Sequence, residues 1–329
     1  GVSSAASDVY KRQGYVGSSL VPRLLEEGHI VTVLDLMIYG EDVLDSHENL
    51  KIIKGDMRDT KLLEQSIPGH ECFIHLACIS NDPSFELNPD LGKSINLDSF
   101  KPLVEISENS GIKRFINASS SSVYGVKDDK DVHENMSLEP LTDYSRFKAN
   151  CEDILMNYNS ASFTTTSIRP ATVCGYSRRQ RLDVVVNIFT NLAFHNKEIT
   201  IFGGNQLRPN IHIKDMVEAY LILINAPIEK ITGNIFNAGD ENKSVLELAE
   251  TVKQVIGSDV NLIKSHSDDN RSYHISSDKI KKELGFTTNY SIKNAAEDLK
   301  IAFENKTLSD TLSNEFYFNI KRMQSISLK

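Results

Sequence analysis

The chain has 329 residues, 40% hydrophobic and 25% charged, with a formal net charge of -9 and a pI near 5.5. That length supports one large domain or two intertwined ones around a sizeable core, and the acidic balance argues against a nucleic-acid partner, which calls for a basic field. No apolar run approaches a membrane span and no targeting segment is visible, so no membrane partner is expected.

In chain order, the first half alternates short apolar runs with helical patterns. Strands are predicted at residues 30–34, 51–53, 72–76, 114–117 and 165–168, with helices between them at 17–27, 61–67, 95–109 and 144–158. Continuous apolar strands separated by helices predict an α/β fold with a parallel sheet covered on both faces. The second half is less regular, with a helix at 183–195, a strand at 199–202 and a helix at 213–225. Ser244 reads as an N-cap completed by Glu247, and two more helices are predicted at 277–284 and 292–304. The cysteines are Cys72, Cys78, Cys151 and Cys174, with no Cys-x-x-Cys pair. They read as free thiols in a reducing cytosol, which predicts a cytoplasmic protein without a metal site.

Two stretches carry chemistry. Gly14-Tyr15-Val16-Gly17 opens the first helical pattern, and Asp35 follows the run 30–34. A dinucleotide site needs glycines where the backbone approaches pyrophosphate at a helix N-terminus. It also needs an acid roughly 20 residues on to accept the ribose hydroxyls. Asp35 fits that role, and its charge would repel a 2′-phosphate, so NAD is favoured over NADP. The fingerprint Gly-x-Gly-x-x-Gly is incomplete, because Arg12 stands where its first glycine belongs. Residues 1–13 also lack the apolar run of a central first strand. They read as a translated cloning or sequencing adaptor in place of the true start, so the first strand is expected to be missing or replaced and cofactor binding impaired.

The second stretch pairs Tyr144 and Lys148 with a serine-rich turn about 20 residues upstream, Ser119-Ser120-Ser121-Ser122-Val123-Tyr124-Gly125. A free tyrosine has a pKa of ~10, too high for a base near neutrality. Lys148 lies one helical turn on, where its cation favours the phenolate. Ser120 can orient a substrate hydroxyl while Tyr144 removes its proton and hydride leaves the carbon. A nearby basic cluster, Arg178, Arg179 and Arg181, reads equally as a nucleotide-pocket wall or a solvated loop.

From Gly14 to about Asn294 the chain resembles the extended short-chain dehydrogenase/reductase family, specifically its nucleotide-sugar epimerases and dehydratases. The resemblance rests on Gly14-Tyr15-Val16-Gly17, Gly55-Asp56-Met57-Arg58-Asp59, His75-Leu76-Ala77, the serine turn, and Pro140 ahead of Tyr144 and Lys148. Arg169-Pro170, the run from Arg208 to Asp215 and Asn237-Ala238-Gly239 complete it. It implies a Rossmann-type NAD-binding domain over residues 1–172. Residues 173–329 would mainly form a smaller nucleotide-sugar-binding domain, some segments returning to the first.

The resemblance also assigns roles. Asp56 and Met57 would contact adenine, and Ala77 would lie beside the cofactor. Ser120, Tyr144 and Lys148 would be catalytic, Tyr144 and Lys148 also touching the cofactor. Arg208 and Arg271 would bind the sugar nucleotide's phosphates. Thr172 stands where many 4-epimerases carry Asn, among the sugar contacts. A 4,6-dehydratase carries an Asp-Glu pair after the catalytic Ser or Thr; here those positions are Ser121 and Ser122. The expected activity is therefore C4 epimerisation of a UDP-sugar, ahead of a ketoreductase, dehydrogenase or dehydratase of the same family. A non-catalytic dinucleotide-binding sensor is the third reading, disfavoured because sensing needs no acid/base. A homodimer through helices 95–109 and 144–158 is implied by the resemblance alone.

Overall fold

Val31–Asp35 (β2) and Cys72–His75 (β4) are buried at every residue, the mark of strands covered on both faces. Alternate residues serve opposite layers. Val31, Val33, Cys72, Ile74 and Ile116 pack into one apolar core, whereas Leu34, Phe73 and Phe115 pack into another. The computed structural model describes residues 9–11, 14–80, 82–129, 131–267 and 272–326.

Among the described residues, twelve strands make three sheets. The first strands are Val9–Lys11 (β1), β2, Leu50–Lys54 (β3), β4, Arg114–Ala118 (β5) and Thr164–Pro170 (β6). Thr172–Cys174 (β7), Glu198–Phe202 (β8), Leu207–His212 (β9), Asn234–Ala238 (β10), Glu241–Ser244 (β11) and Asn261–Ser265 (β12) follow. The large sheet is parallel throughout, in the order β10-β6-β5-β4-β1-β2-β3. This is the doubly wound Rossmann order with β10 added at one edge. The direction of strand succession reverses between β1 and β4, where such sheets bind ligands. A three-stranded sheet (β11-β9-β7) and a two-stranded one (β12-β8) lie outside it.

The helices are Gly17–Glu26 (α1), Thr60–Ser66 (α2), Asp82–Glu86 (α3), Pro89–Lys93 (α4), Phe100–Asn109 (α5), Asp143–Met156 (α6) and Val185–Asn196 (α7). Ile213–Asn225 (α8), Ile228–Ile231 (α9), Val245–Ile256 (α10), Asp278–Leu284 (α11), Ile292–Glu304 (α12) and Asn319–Ser325 (α13) complete them. Helices α1 and α8 cover one face of the large sheet, and α2, α5 and α6 the other. A third core joins α7, α10 and α12 to β8 and β12. Ser244 caps α10 and Glu247 completes the capping box, as the sequence predicts.

A short strand fills the slot where the sequence predicts a missing or replaced strand, and one helix departs from its predicted bounds. The slot for the first strand is taken by Val9–Lys11, which pairs with both β2 and β4. Two parallel neighbours leave backbone donors and acceptors on either side, and any three extended residues satisfy them. The predicted helix 95–109 is broken: Ser94–Asp98 is a π-helical turn, and α5 begins at Phe100. Within that turn the Asn96 side chain accepts from the Ile79 amide (2.8 Å) and donates to the Ile79 carbonyl (3.0 Å), tying the turn to the loop after β4. Single π turns of this kind gather at functional sites.

Candidate active site

A cleft of about 330 Å³ opens at the C-terminal ends of the large sheet's strands. Each strand end contributes a wall: Gly14 to Gly17 after β1, Asp35 and Leu36 at β2, Leu76 and Cys78 to Ser80 after β4, Ala118 to Ser122 at β5, and Pro170 to Val173 at β6 and β7.

At the cofactor end, Gly14, Tyr15, Val16 and Gly17 form a turn whose carbonyl at Gly14 accepts the Ser18 amide (2.8 Å). Val16 is the N-cap of α1 and offers no side-chain cap. The N-terminus of the helix lies at the cleft, and its dipole suits an anion there. Asp35 is buried and its Oδ1 accepts the Met37 amide (2.6 Å), which fixes the carboxylate at the cleft wall. Arg12 lies outside the described residues. Asp56, Met57 and Ala77 do not line the cleft. Asp56 is bound by the Arg58 guanidinium (2.6 Å at Nη2), and Met57 and Ala77 are buried in the apolar core with Leu34 and Phe73.

Tyr144 and Lys148 both line the cleft. Thr142 caps α6, its Oγ1 accepting the Ser145 amide (3.2 Å) while Ser145 Oγ accepts the Thr142 amide (3.1 Å). This capping box puts Tyr144 in the first helical turn, where the helix dipole favours a phenolate. Lys148 is 5% exposed. Its Nζ donates to the Ala118 carbonyl (2.7 Å) and lies 5.9 Å from the Tyr144 ring centre. Ala118 ends β5 and begins the serine run, so one hydrogen bond ties helix to turn. Ser120 caps a short 3-10 turn, Ser121–Tyr124, its Oγ accepting the Ser122 amide (3.2 Å) and lying 2.9 Å from Ser122 Oγ. Ser119 Oγ is buried without a hydrogen-bond partner. Gly125 closes the turn at φ +68°, where a side chain would overlap the Glu139 carbonyl. All four serines line the cleft.

The far wall is built from distant segments. Thr172, Tyr220 and Tyr273 line it. Arg208 is not in the lining itself; its guanidinium sits 5.0 Å from the Tyr273 ring centre. Arg271 and Asn81 lie outside the described residues. Ser84 is buried away from the cleft, and His75 is a core residue between Phe100 and Phe115, its Nδ1 3.1 Å from Asn117 Oδ1. Among the described residues no group of three His, Cys, Asp or Glu side chains is placed to hold a metal. No described helix is long and apolar enough to cross a membrane.

The basic cluster separates. Arg178 is on the surface, paired with Asp45 (2.5 Å), whereas Arg179 and Arg181 turn into the cleft. Arg181 Nε donates to Asp183 (2.8 Å). Burial pushes the Asp183 carboxyl up, but Arg181, the Asn319 backbone amide and Arg179 together outweigh it and hold the group below the usual carboxylate range. Asn319, at the start of α13, is a cleft residue that local sequence pattern does not reveal. Its Oδ1 accepts from Tyr39 (2.9 Å) and Arg179 (2.6 Å), and its Nδ2 donates to Ser80 (3.0 Å).

Comparison with known proteins agrees with this geometry. A solved UDP-glucose 4-epimerase from Thermotoga maritima with UDP-glucose superposes with a TM-score of 0.81 at 23% identity, covering 92% of this chain and 100% of that one. A dTDP-glucose 4,6-dehydratase from Streptomyces venezuelae with NAD bound gives 0.82 at 20% identity, covering 93% and 100%. In sequence, the UDP-glucose 4-epimerase of Corynebacterium glutamicum is 25% identical over 303 residues, 87% of this chain and 92% of that protein. The model of the family described as NAD dependent epimerase/dehydratase matches residues 12–239, from the glycine turn to Asn237-Ala238-Gly239. The chain, with its Rossmann sheet and its tyrosine, lysine and serines at one cleft, belongs to the NAD-dependent epimerase/dehydratase family.

Proposed function

We propose that this chain inverts C4 of a UDP-sugar. The observation that carries the reading is the union of three features in one cleft: the uncapped N-terminus of α1, Asp35, and Tyr144 with Lys148 bound to the end of β5. NAD fits this wall: the dipole at the N-terminus of α1 suits its pyrophosphate, and Asp35 suits its adenosine ribose. When bound, it supplies the acceptor and donor for a hydride at C4.

The chain's own residues handle the proton. Lys148 lowers the energy of the Tyr144 phenolate, which takes the C4 hydroxyl proton and later returns it. Ser120 orients that hydroxyl, with Ser119, whose Oγ has no partner, beside it. Ser121 and Ser122 offer no carboxyl group for removing water, which favours epimerisation over 4,6-dehydration.

We assign residues 1–172 to the NAD-binding layer and 173–329 mainly to the nucleotide sugar, with α8 and β10 returning to the large sheet. Thr172 and Arg208 would face the sugar nucleotide, Arg271 would add a phosphate contact, and Asp56, Met57 and Ala77 would frame the adenine side from behind the wall. Two copies would pair through α5 and α6 in the cytoplasm; light scattering tests the pairing. Incubation with UDP-, dTDP-, GDP- and CDP-sugars tests the activity. C4 inversion of a UDP-sugar supports it, and inversion of none contradicts it.

A further inference from the structure

The loop after β7 folds back over the glycine turn. Ser177 Oγ donates to the Tyr15 carbonyl (2.8 Å) and lies 2.8 Å from Ser18 Oγ. The Arg179 amide donates to the same Ser18 Oγ (3.1 Å), and the Tyr15 hydroxyl donates to the Gly175 carbonyl (2.5 Å). Two guanidinium groups are thereby brought to the cleft beside α1.

Arg179 is 4% exposed and stacks on Tyr39, its Cζ 3.5 Å from the ring centre. Arg181 reaches across to Ser80 Oγ (3.1 Å), beyond β4. The two therefore span the crevice over β1, from the Asp35 side to the β4 side. Their hydrogen bonding is incomplete: Arg179 Nε and Arg181 Nη2 are buried and reach no acceptor. Among the described residues, only Asp183 offsets them by direct ion pairing, through Arg181. Burial lowers the Arg179 guanidinium to about 10, so an anion that restored its ordinary affinity for a proton would bind with gain. The charged side chains among the described lining residues are Asp35, Lys148, Arg179 and Arg181. With Asp183 counted against Arg181, three cations face two acids, a net positive balance that suits an anion.

We infer that Arg179 and Arg181 form a second cradle for the pyrophosphate of the dinucleotide, facing the glycine turn and supplementing it. The inference rests on the reading of the cleft as an NAD site. The dinucleotide is favoured over the nucleotide sugar because the arginine loop is bonded to the glycine turn and α1. Arg208, assigned to the sugar nucleotide, instead belongs to the β7-β9-β11 sheet. Asn319 positions both groups, bonding Arg179 directly and Arg181 through their shared partner Ser80. The cradle also supplies what the glycine turn lacks in this chain, where Arg12 stands at the first glycine of the fingerprint.

Calorimetric titration of the full chain with ADP-ribose and with UDP tests this. Arg179→Gln and Arg181→Gln should each weaken ADP-ribose about tenfold or more, the scale of a lost charge-assisted hydrogen bond. UDP affinity should stay within about twofold. Arg181→Lys, which keeps the charge but loses the fork, should fall between wild type and Arg181→Gln. Unchanged ADP-ribose binding overturns the inference, as does a selective loss of UDP or an equal loss of both. Failure of the unmutated chain to bind ADP-ribose would overturn the NAD reading itself, a separable result.

Discussion

Lys148 Nζ donates to the Ala118 carbonyl at 2.7 Å, joining α6 to the strand end from which the serine turn departs. The bond holds the ammonium 5.9 Å from the Tyr144 ring centre and keeps it buried. The proposed acid/base pair is thus positioned by the sheet and not by α6 alone.

Tyr144→Phe removes the proton carrier and leaves the packing of α6 intact. Turnover should fall by at least about 100-fold, the range of general acid-base catalysis, while ADP-ribose affinity is nearly unchanged. Steady-state rates and calorimetry read the two separately. Substantial residual turnover would remove Tyr144 from its role.

Lys148→Met should move the ascending, acid-side limb of the pH-rate profile upward. Without the cation the phenolate is disfavoured, and half-maximal rate should approach the ordinary tyrosine pKa of ~10. A profile unmoved from wild type would show that Lys148 only anchors the helix to Ala118.

The serine turn leans on a buried ion pair. Arg169 Nη2 and Glu152 Oε2 are 2.6 Å apart, each side chain 3% exposed. Arg169 also donates to the Tyr124 hydroxyl (2.7 Å), which donates to Asn237 Oδ1 (2.7 Å). Glu152→Ala strands the guanidinium and should cost about 3–5 kcal/mol in denaturant unfolding. Replacing both partners with Met should recover most of that loss. A single substitution no worse than the double one would show that the pair does not act as a unit.

Asp183 gives a pH dependence of stability. Its folded-state pKa is depressed, because Arg181, with the Asn319 amide and Arg179, outweighs the opposing effect of burial. Its contribution is therefore present above the unfolded value of ~3.9 and is lost as pH falls through the lower folded value. Asp183→Asn should flatten the acid limb of the melting temperature plotted against pH. Parallel limbs in variant and wild type would contradict the pairing.

The α/β architecture was legible because β2 and β4 are largely apolar, buried runs and the helices between them keep their period. The glycine turn, Asp35 and Ser120 were legible because fixed spacings place them at neighbouring strand ends, and Tyr144 and Lys148 because their spacing places them one turn apart on α6. The small sheet was not. β9 is its central strand yet contains Pro209, which argues against a central strand, and β7 spans only three residues. The π turn at Asn96 was hidden for a different reason: its cause is the backbone of Ile79, and a helical period does not record a partner elsewhere in the chain. Asn319 and the inward turn of Arg179 and Arg181 were equally illegible, since they depend on contacts spanning 140 and 239 positions. Local pattern reveals which residues could carry chemistry, but not which distant loops close over them.

Epimerisation returns its hydride, and this separates it from dehydrogenation most directly. The full chain should be incubated with NAD and UDP-glucose or UDP-galactose, with sugar configuration followed by proton NMR and NADH by absorbance in the same sample. Conversion at C4 with no net NADH is the predicted result. NADH accumulating in step with substrate consumed would contradict it and identify a dehydrogenase on the same fold.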